Sequence, residues 1–228
     1  MIFEEREKFA FSLLKKIKTE FVVIGGYAVN AYTLPRFSVD CDIVVKNKKD
    51  MFAVKKFLES KGFNEKASGE TAYNGKFLCL SADKPVKVTF DVLAENVEDR
   101  ITGTIFTAKQ IFKHSKKRTI YGKGTPINLK TRVVNPEMLF IMKAVSCRKP
   151  DIRDVFMLAS IKLDKKKLKE ISEETPVPKQ SIQKILEKIE SKGFKDALQG
   201  VYGMLPEEQF QKTKNKLEEI LINRKIKS

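Results

Sequence analysis

Over its first half the chain alternates short β-branched runs with apolar residues at helical spacing. In residues 4–17, Phe9, Leu13, Leu14 and Ile17 share one helical face. Residues 21–24 (Phe-Val-Val-Ile) form a continuous apolar run that stops at Gly25-Gly26, as a buried strand with an abrupt end would. Residues 27–32 have room for a short helix before Pro35. A second strand is predicted over 39–45, closed by the polar stretch from Lys46 to Asp50. Phe52, Val54, Phe57 and Leu58 predict an amphipathic helix over 51–60, with Lys61-Gly62 as its stop. Residues 76–80 and 86–93 predict two strands joined by the turn Ala82-Asp83-Lys84-Pro85. Residues 117–134 keep no sustained period and read as irregular, with short β-like pieces around Gly122, Gly124 and Pro126.

The character changes after Asn135. Pro136 suits the first position of a helix, and Glu137 suits its first turn. Helices are predicted over 138–145, 152–160, 165–173, 179–192 and 207–224, separated by Pro176-Val177-Pro178 and by residues 203–206. No internal repeat is visible. This pattern predicts an α+β chain, with a mixed β-sheet flanked by helices in residues 1–135 and a helical domain in 136–228.

Composition narrows the class. The 228 residues are 42% hydrophobic and 32% charged, which suits a globular chain with a sizeable core. No run of about 18 apolar residues exists, so no membrane-spanning helix is expected. The N-terminus lacks the apolar core of a secretory signal. Cys41, Cys79 and Cys147 are too scattered for a disulfide framework or a zinc site, so a cytoplasmic location is expected. Forty-five Lys and Arg against 29 Asp and Glu leave a net charge of +16. Such a surface attracts polyanions, nucleic acid among them. A Lys/Glu-rich surface with no special partner is the plainer reading.

The candidate chemistry lies in residues 21–45. Asp40 and Asp42, two apart on a predicted strand, project to one face among Val39, Ile43, Val44 and Val45. Two adjacent carboxylates repel each other and lose solvation, and a divalent cation relieves both penalties. An oxygen-only donor set selects magnesium, with manganese as the alternative. Asp91 lies on the later strand, again among apolar neighbours. If the two strands pair side by side, three carboxylates converge, enough for a two-metal phosphoryl-transfer site. Gly25-Gly26, between strand and short helix, would let backbone N–H groups approach a triphosphate. An ordinary tight turn is the alternative for the glycine pair taken alone.

These features together resemble the DNA polymerase β-type nucleotidyltransferase superfamily. Residues 24–28 (Ile-Gly-Gly-Tyr-Ala), followed by 36–42 (Arg-Phe-Ser-Val-Asp-Cys-Asp), are similar to the AbiEii-like nucleotidyltransferases, known as toxins of type IV toxin–antitoxin pairs. Residues 135–143 and 148–154 resemble that group's helical signature of Lys, Arg and Asp. The likeness covers roughly residues 21–158. Two departures stand out. Tyr27 follows the glycines where many members carry Ser or Thr, and Pro150 alters the usual Lys-Asp pairing.

The resemblance implies a polymerase β-type catalytic domain followed by a helical one. It implies that Gly25 and Gly26 hold the β- and γ-phosphates of an NTP such as ATP. Asp40, Asp42 and Asp91 would bind the metals, with Asp91 able to take the acceptor proton. Lys143 would neutralise phosphate charge, and Arg36 and Ser38 would shape the loop into the metal strand. Asp154, with Asp151 and Arg148, would brace the helical half, although plain surface ion pairs are the alternative.

The favoured reading is a magnesium-dependent transfer of NMP from an NTP to an acceptor hydroxyl, with an RNA or tRNA 3′ end as acceptor and an antitoxin protein as partner. Two others stand beside it: a catalytically inactive module that binds nucleic acid or a partner, and a small-molecule transferase of the antibiotic-modifying type. His114, the only histidine, has no ligand partners in sequence and reads as surface-exposed. The basic run around it, residues 112–118, suits either a solvated face or an RNA backbone. Gly122-Lys123-Gly124-Thr125 lacks Walker spacing and reads as a turn.

Overall fold

A computed structural model describes residues 2–68, 76–124 and 126–222. They fall into two compact units, one of residues 1–31, 35–98 and 105–135, the other of 32–34, 99–104 and 136–228.

In the first unit, the clearest alternation is in β5 (Val88–Ala94), where Val88, Phe90, Val92 and Ala94 are buried and the residues between them are half-buried. One face of that strand is core, as period-two alternation requires. β5 is central to a seven-stranded mixed sheet whose order is β3-β4-β5-β2-β1-β9-β8. Here β1 is Val22–Val23, β2 Asp40–Val45, β3 Asn64–Ser68, β4 Phe77–Ala82, β8 Ser115–Tyr121 and β9 Asn128–Val134. β2–β5 and β1–β9 are parallel, and the other pairs are antiparallel. A separate ribbon pairs β6 (Asn96–Glu98) with β7 (Ile105–Thr107).

Three longer helices accompany the sheet: α1 (Ile2–Leu14), α3 (Lys48–Glu59) and α4 (Ala108–Lys113), with the single-turn α2 (Gly25–Val29) after β1. Phe63, just beyond α3, meets Phe90 edge-on at 5.5 Å, and Phe11 of α1 meets Tyr27 of α2 at 5.2 Å. These rings are fully buried and fill the core face of the sheet.

The elements differ from expectation at identifiable places. Residues 117–134 are not irregular: they form most of the β8–β9 hairpin, with Ile120 opposite Leu129. β8 is an edge strand whose exposed Lys116, Lys117 and Arg118 mask its period, and such charges blunt an edge against pairing with other chains. α3 begins at Lys48, inside the stretch read as a strand break, because the Asn47 side chain accepts the Asp50 N–H at 2.9 Å. α4 is opened by a capping box, Thr107 with Gln110. The predicted turn after Ala82 does connect β4 to β5, and its Lys84–Pro85 bond is cis.

The second unit is helical: α5 (Pro136–Ser146), α6 (Lys149–Ser160), α7 (Lys165–Glu174), α8 (Lys179–Glu190), α9 (Phe194–Tyr202) and α10 (Glu207–Ile222). Phe156 stacks on Phe210 at 5.0 Å and meets Phe194 edge-on at 5.3 Å, tying α6, α9 and α10 together. α9 lies in a stretch where the sequence pattern predicts no helix, although Phe194, Leu198 and Tyr202 repeat every four residues and are buried. The predicted end of the last helix at 224, like Thr125 of the predicted turn, lies outside the described residues. Pro150 falls in the first turn of α6, where its missing N–H leaves no intrahelical bond unmade.

Candidate active site

Strand register decides whether the carboxylates meet. β2 and β5 run parallel with Asp42 opposite Asp91 and Asp40 opposite Thr89. Residues opposite each other share a face, and so do residues two apart on a strand. Asp40, Asp42 and Asp91 therefore stand on one face, all half-buried. The other face of the same strands is core, with Cys41, Ile43, Phe90 and Val92 buried. The trio also reaches Cys41 electrostatically. Burial pushes the Cys41 thiol well up, and the charges of Asp42, Asp91 and Asp40 push it further. The Asp40 carboxyl is raised by its own burial, with Arg6 opposing the shift.

The glycine pair is built around this face. Gly25 has φ +65°, in the left-handed region. A Cβ there would overlap the Asp42 carboxylate, falling 2.6 Å from its Cγ. A Cβ on Gly26 would overlap the Ser38 hydroxyl and lie 3.1 Å from Arg36 Nη2. Each missing side chain thus makes room for a predicted site residue. Ile24 N–H donates to the Asp42 carbonyl at 3.0 Å and fixes the bend against β2. α2 is only five residues long, and the cation beside the glycine pair is Arg36, whose Nη2 would lie 3.1 Å from a Gly26 Cβ.

The loop that carries Arg36 and Ser38 is clamped by Asn30, which the sequence does not single out, and by Tyr27, which it marks only as a departure from the family pattern. Asn30 Nδ2 donates to the Arg36 carbonyl at 2.8 Å, and the Arg36 N–H donates back to Asn30 Oδ1 at 3.0 Å. The Tyr27 hydroxyl donates to the Ser38 carbonyl at 3.3 Å, and Ser38 Oγ donates to the Asp40 carbonyl at 3.1 Å. Tyr27 is buried, which pushes its phenol up beyond any working pH. Its place after the glycines therefore serves the loop. A double amide clamp such as Asn30 leaves no trace in sequence spacing.

Lys143 belongs to the second unit. Its ammonium lies 2.5 Å from Asp151 Oδ1 and 3.0 Å from Asp154 Oδ2. Asp154 also accepts the Tyr202 hydroxyl at 2.5 Å, and Asp151 accepts the Arg148 N–H at 3.3 Å. Asp151 and Asp154 are buried, so these are interior pairs and not the surface ion pairs held open as an alternative. Nearby, Asp99 faces Arg148 at 3.7 Å. Burial works against the Asp99 charge, but hydrogen bonds from Thr102, Ile101 and Ser146 outweigh it and hold the carboxyl below its usual range. His114, the C-cap of α4, is buried, contrary to its predicted exposure, and its carbonyl accepts the Asn135 N–H at 2.7 Å.

The donor chemistry of the trio fits a hard divalent cation: oxygen atoms only, on one face, beside a bend kept open by Gly25. As placed, no group of three or more His, Cys, Asp and Glu side chains among the described residues is arranged to hold a metal ion, this trio included.

A family model described as nucleotidyl transferase of unknown function (DUF2204) matches residues 5–191. The chain belongs to this family. Its nucleotidyltransferase fold recurs in solved structures. MenT4, a nucleotidyltransferase toxin from Mycobacterium tuberculosis H37Rv, is similar with a TM-score of 0.61 and 14% identity, over 95% of this chain and 82% of that one. JHP933 from Helicobacter pylori is similar with a TM-score of 0.50 and 13% identity, over 95% of this chain and 89% of that one. No curated protein matches the sequence. Nucleotidyltransferases of this kind generally use divalent metals. No helix among the described residues is long and apolar enough to cross a membrane.

Proposed function

We propose that this nucleotidyltransferase moves a nucleoside monophosphate from an NTP to an acceptor hydroxyl and releases pyrophosphate. One observation carries the reading: Asp42 and Asp91 occupy paired positions on adjacent parallel strands, with Asp40 on the same face and Gly25 against Asp42. Magnesium, or manganese in its place, held by Asp40, Asp42 and Asp91, would supply neutralisation of the triphosphate charge. Gly25 and Gly26 bring bare backbone towards the β- and γ-phosphates, and Arg36 and Ser38 flank them. The acceptor oxygen bonds to the α-phosphorus as the bond to the bridging oxygen breaks. The acceptor proton passes to the Asp91 carboxylate, and the electron pair leaves with pyrophosphate. Lys143 is kept as a nucleotide-binding cation whose direction Asp151 and Asp154 fix.

The net charge of +16 favours an RNA acceptor, a tRNA 3′ end among the candidates. A toxin role within a type IV toxin–antitoxin pair is the cellular setting suggested by the sequence resemblance and by the Mycobacterium neighbour's description. Free Cys41, Cys79 and Cys147 suit a reducing cytoplasm. The test is incubation of the purified chain with cellular RNA and each α-labelled NTP in turn, with magnesium. Label should enter RNA with one preferred NTP. Asp42→Asn and Asp91→Asn should each lower transfer by more than about 100-fold. Full transfer by either variant would remove that carboxylate from the reaction.

A further inference from the structure

Beside the carboxylate face, the first unit carries an aromatic pair that neither the core nor the proposed chemistry uses. Phe3 of α1 and Phe37 of the site loop stack with ring centroids 5.2 Å apart and planes 28° from parallel. Phe3 is 52% exposed, so part of its ring stays open to solvent although it stacks on Phe37. Cations flank both rings. The Arg6 guanidinium lies 5.5 Å from the Phe3 centroid, and Lys123 Nζ lies 5.9 Å from the Phe37 centroid. Arg6 is also held in place, with Nε donating to the Lys87 carbonyl at 2.9 Å.

Two connections tie this pair to the candidate chemistry. Phe37 lies between Arg36 and Ser38, and Ser38 is bonded to the backbone of Asp40. Arg6 acts on Asp40 directly, opposing the rise of its carboxyl. A basic edge also runs towards the pair. Exposed Lys116, Lys117 and Arg118 lie along β8, and the hairpin that follows brings Lys123 over Phe37. The loop end is anchored by Glu7 of α1, which accepts the Lys123 N–H at 3.0 Å. An exposed aromatic stack between cations, continued by a charged track, is how single-stranded nucleic acids are held without sequence reading.

We propose that Phe3 and Phe37 form a stacking platform for the unpaired terminal base of a single-stranded nucleic-acid acceptor, with Arg6, Lys123 and the β8 cations on its phosphates. This deepens the transferase reading and rests on it for the identity of the bound strand as acceptor. Stacking itself can be measured without turnover.

The chain contains no tryptophan, so Phe3→Trp introduces a single indole, excited selectively over the tyrosines at the red edge of absorption, that keeps an aromatic face at the platform. Titration with a single-stranded RNA decamer should quench its emission. The same decamer in a blunt duplex should quench little, because its bases are already stacked. By anisotropy with labelled decamer, Phe3→Leu should bind between about 5- and 150-fold more weakly, at unchanged dependence on salt. Phe3→Leu keeps an apolar cover over Phe37, so loss of fold is not the cause if its melting temperature matches wild type. Lys123→Ala should lower the salt slope by about one. Equal decamer affinity for Phe3→Leu and wild type would overturn the platform, and so would equal quenching by duplex and single strand. Quenching by NTP with magnesium in the absence of RNA would put the incoming nucleotide's base there instead and overturn the acceptor assignment. Failure of labelled transfer with intact quenching would strike the transferase reading and leave the stacking site standing.

Discussion

Asp42 and Asp91 stand directly opposite one another on neighbouring parallel strands, two carboxylates in register at the centre of a seven-stranded sheet. Like charges so placed weaken a sheet unless something neutralises them. The sheet accepts the penalty at the point where a glycine bend leaves space beside Asp42.

Asp42→Asn should therefore stabilise the cation-free protein by about 0.2–1 kcal/mol. It should also remove the stabilisation that magnesium with NTP gives the wild type. Thermal melts with and without ligand check both halves, and a cation-free variant less stable than wild type would contradict the first.

Gly25 and Gly26 should respond differently to a methyl group. Gly25→Ala meets the Asp42 carboxylate and also a left-handed φ, which costs a non-glycine residue about 1–2 kcal/mol. Gly26→Ala meets mainly the Ser38 side chain, so the double change Gly26→Ala with Ser38→Ala should recover part of the lost stability. No second substitution at Asp42 should rescue Gly25→Ala to the same extent. Chemical denaturation of the single and double variants decides this.

Lys143→Met would leave Asp151 and Asp154 buried without their shared cation. Removing one member of a buried ion pair costs about 3–5 kcal/mol. Denaturation midpoints should show this loss, and Asp154→Asn should soften it in a double-mutant cycle. A full-stability Lys143→Met protein that no longer binds NTP would place the side chain on phosphate in preference to the carboxylates.

Glu7 gives a pH signature. Burial raises its carboxyl above the ordinary value of 4.5, and the backbone N–H groups of Lys123 and Gly124 only partly offset this. The folded chain therefore binds the Glu7 proton more tightly than the unfolded chain. The resulting stability is fully present below the unfolded value and is lost as pH rises through the folded one. Relative to Glu7→Gln, the wild type should lose stability as pH rises from about 4.5 towards neutrality. A constant difference across that range would contradict the assignment.

Much of the sheet could be read in advance because buried strands are written in β-branched and apolar residues. Val22-Val23 ending at glycine, and the run that carries Asp40 and Asp42, are of this kind. The elements that escaped lack that contrast. β3 (Asn-Glu-Lys-Ala-Ser) lies at one sheet edge, and β8 at the other buries only Ile120, so neither shows a period. α9 is bracketed by Gly193 and Gly203 and interrupted by Gly200, which read as loop. Thr107 and Gln110 did offer a capping-box spacing for α4, and Asn47 a cap for α3. At the candidate site, spacing exposed Asp40, Asp42 and Gly25, which the structure brings together. It could not expose Asn30 or Arg6, nor the loop contact of Tyr27, because these depend on how segments apart in sequence meet. Nor did composition reveal that His114 is interior, since a lone histidine in a basic run carries no sign of its burial.

The pairing of Val23 with Val133 joins the strand before the glycine bend to the last described strand of the first unit. Contacts so distant along the chain close late, after their loop entropy has been met. During synthesis on the ribosome, β1 remains an open margin until β9 has emerged. The bend and its acidic neighbours thus reach their mature frame only when translation of that unit is nearly finished, and a product ending before β9 would leave β1 unpaired on that side.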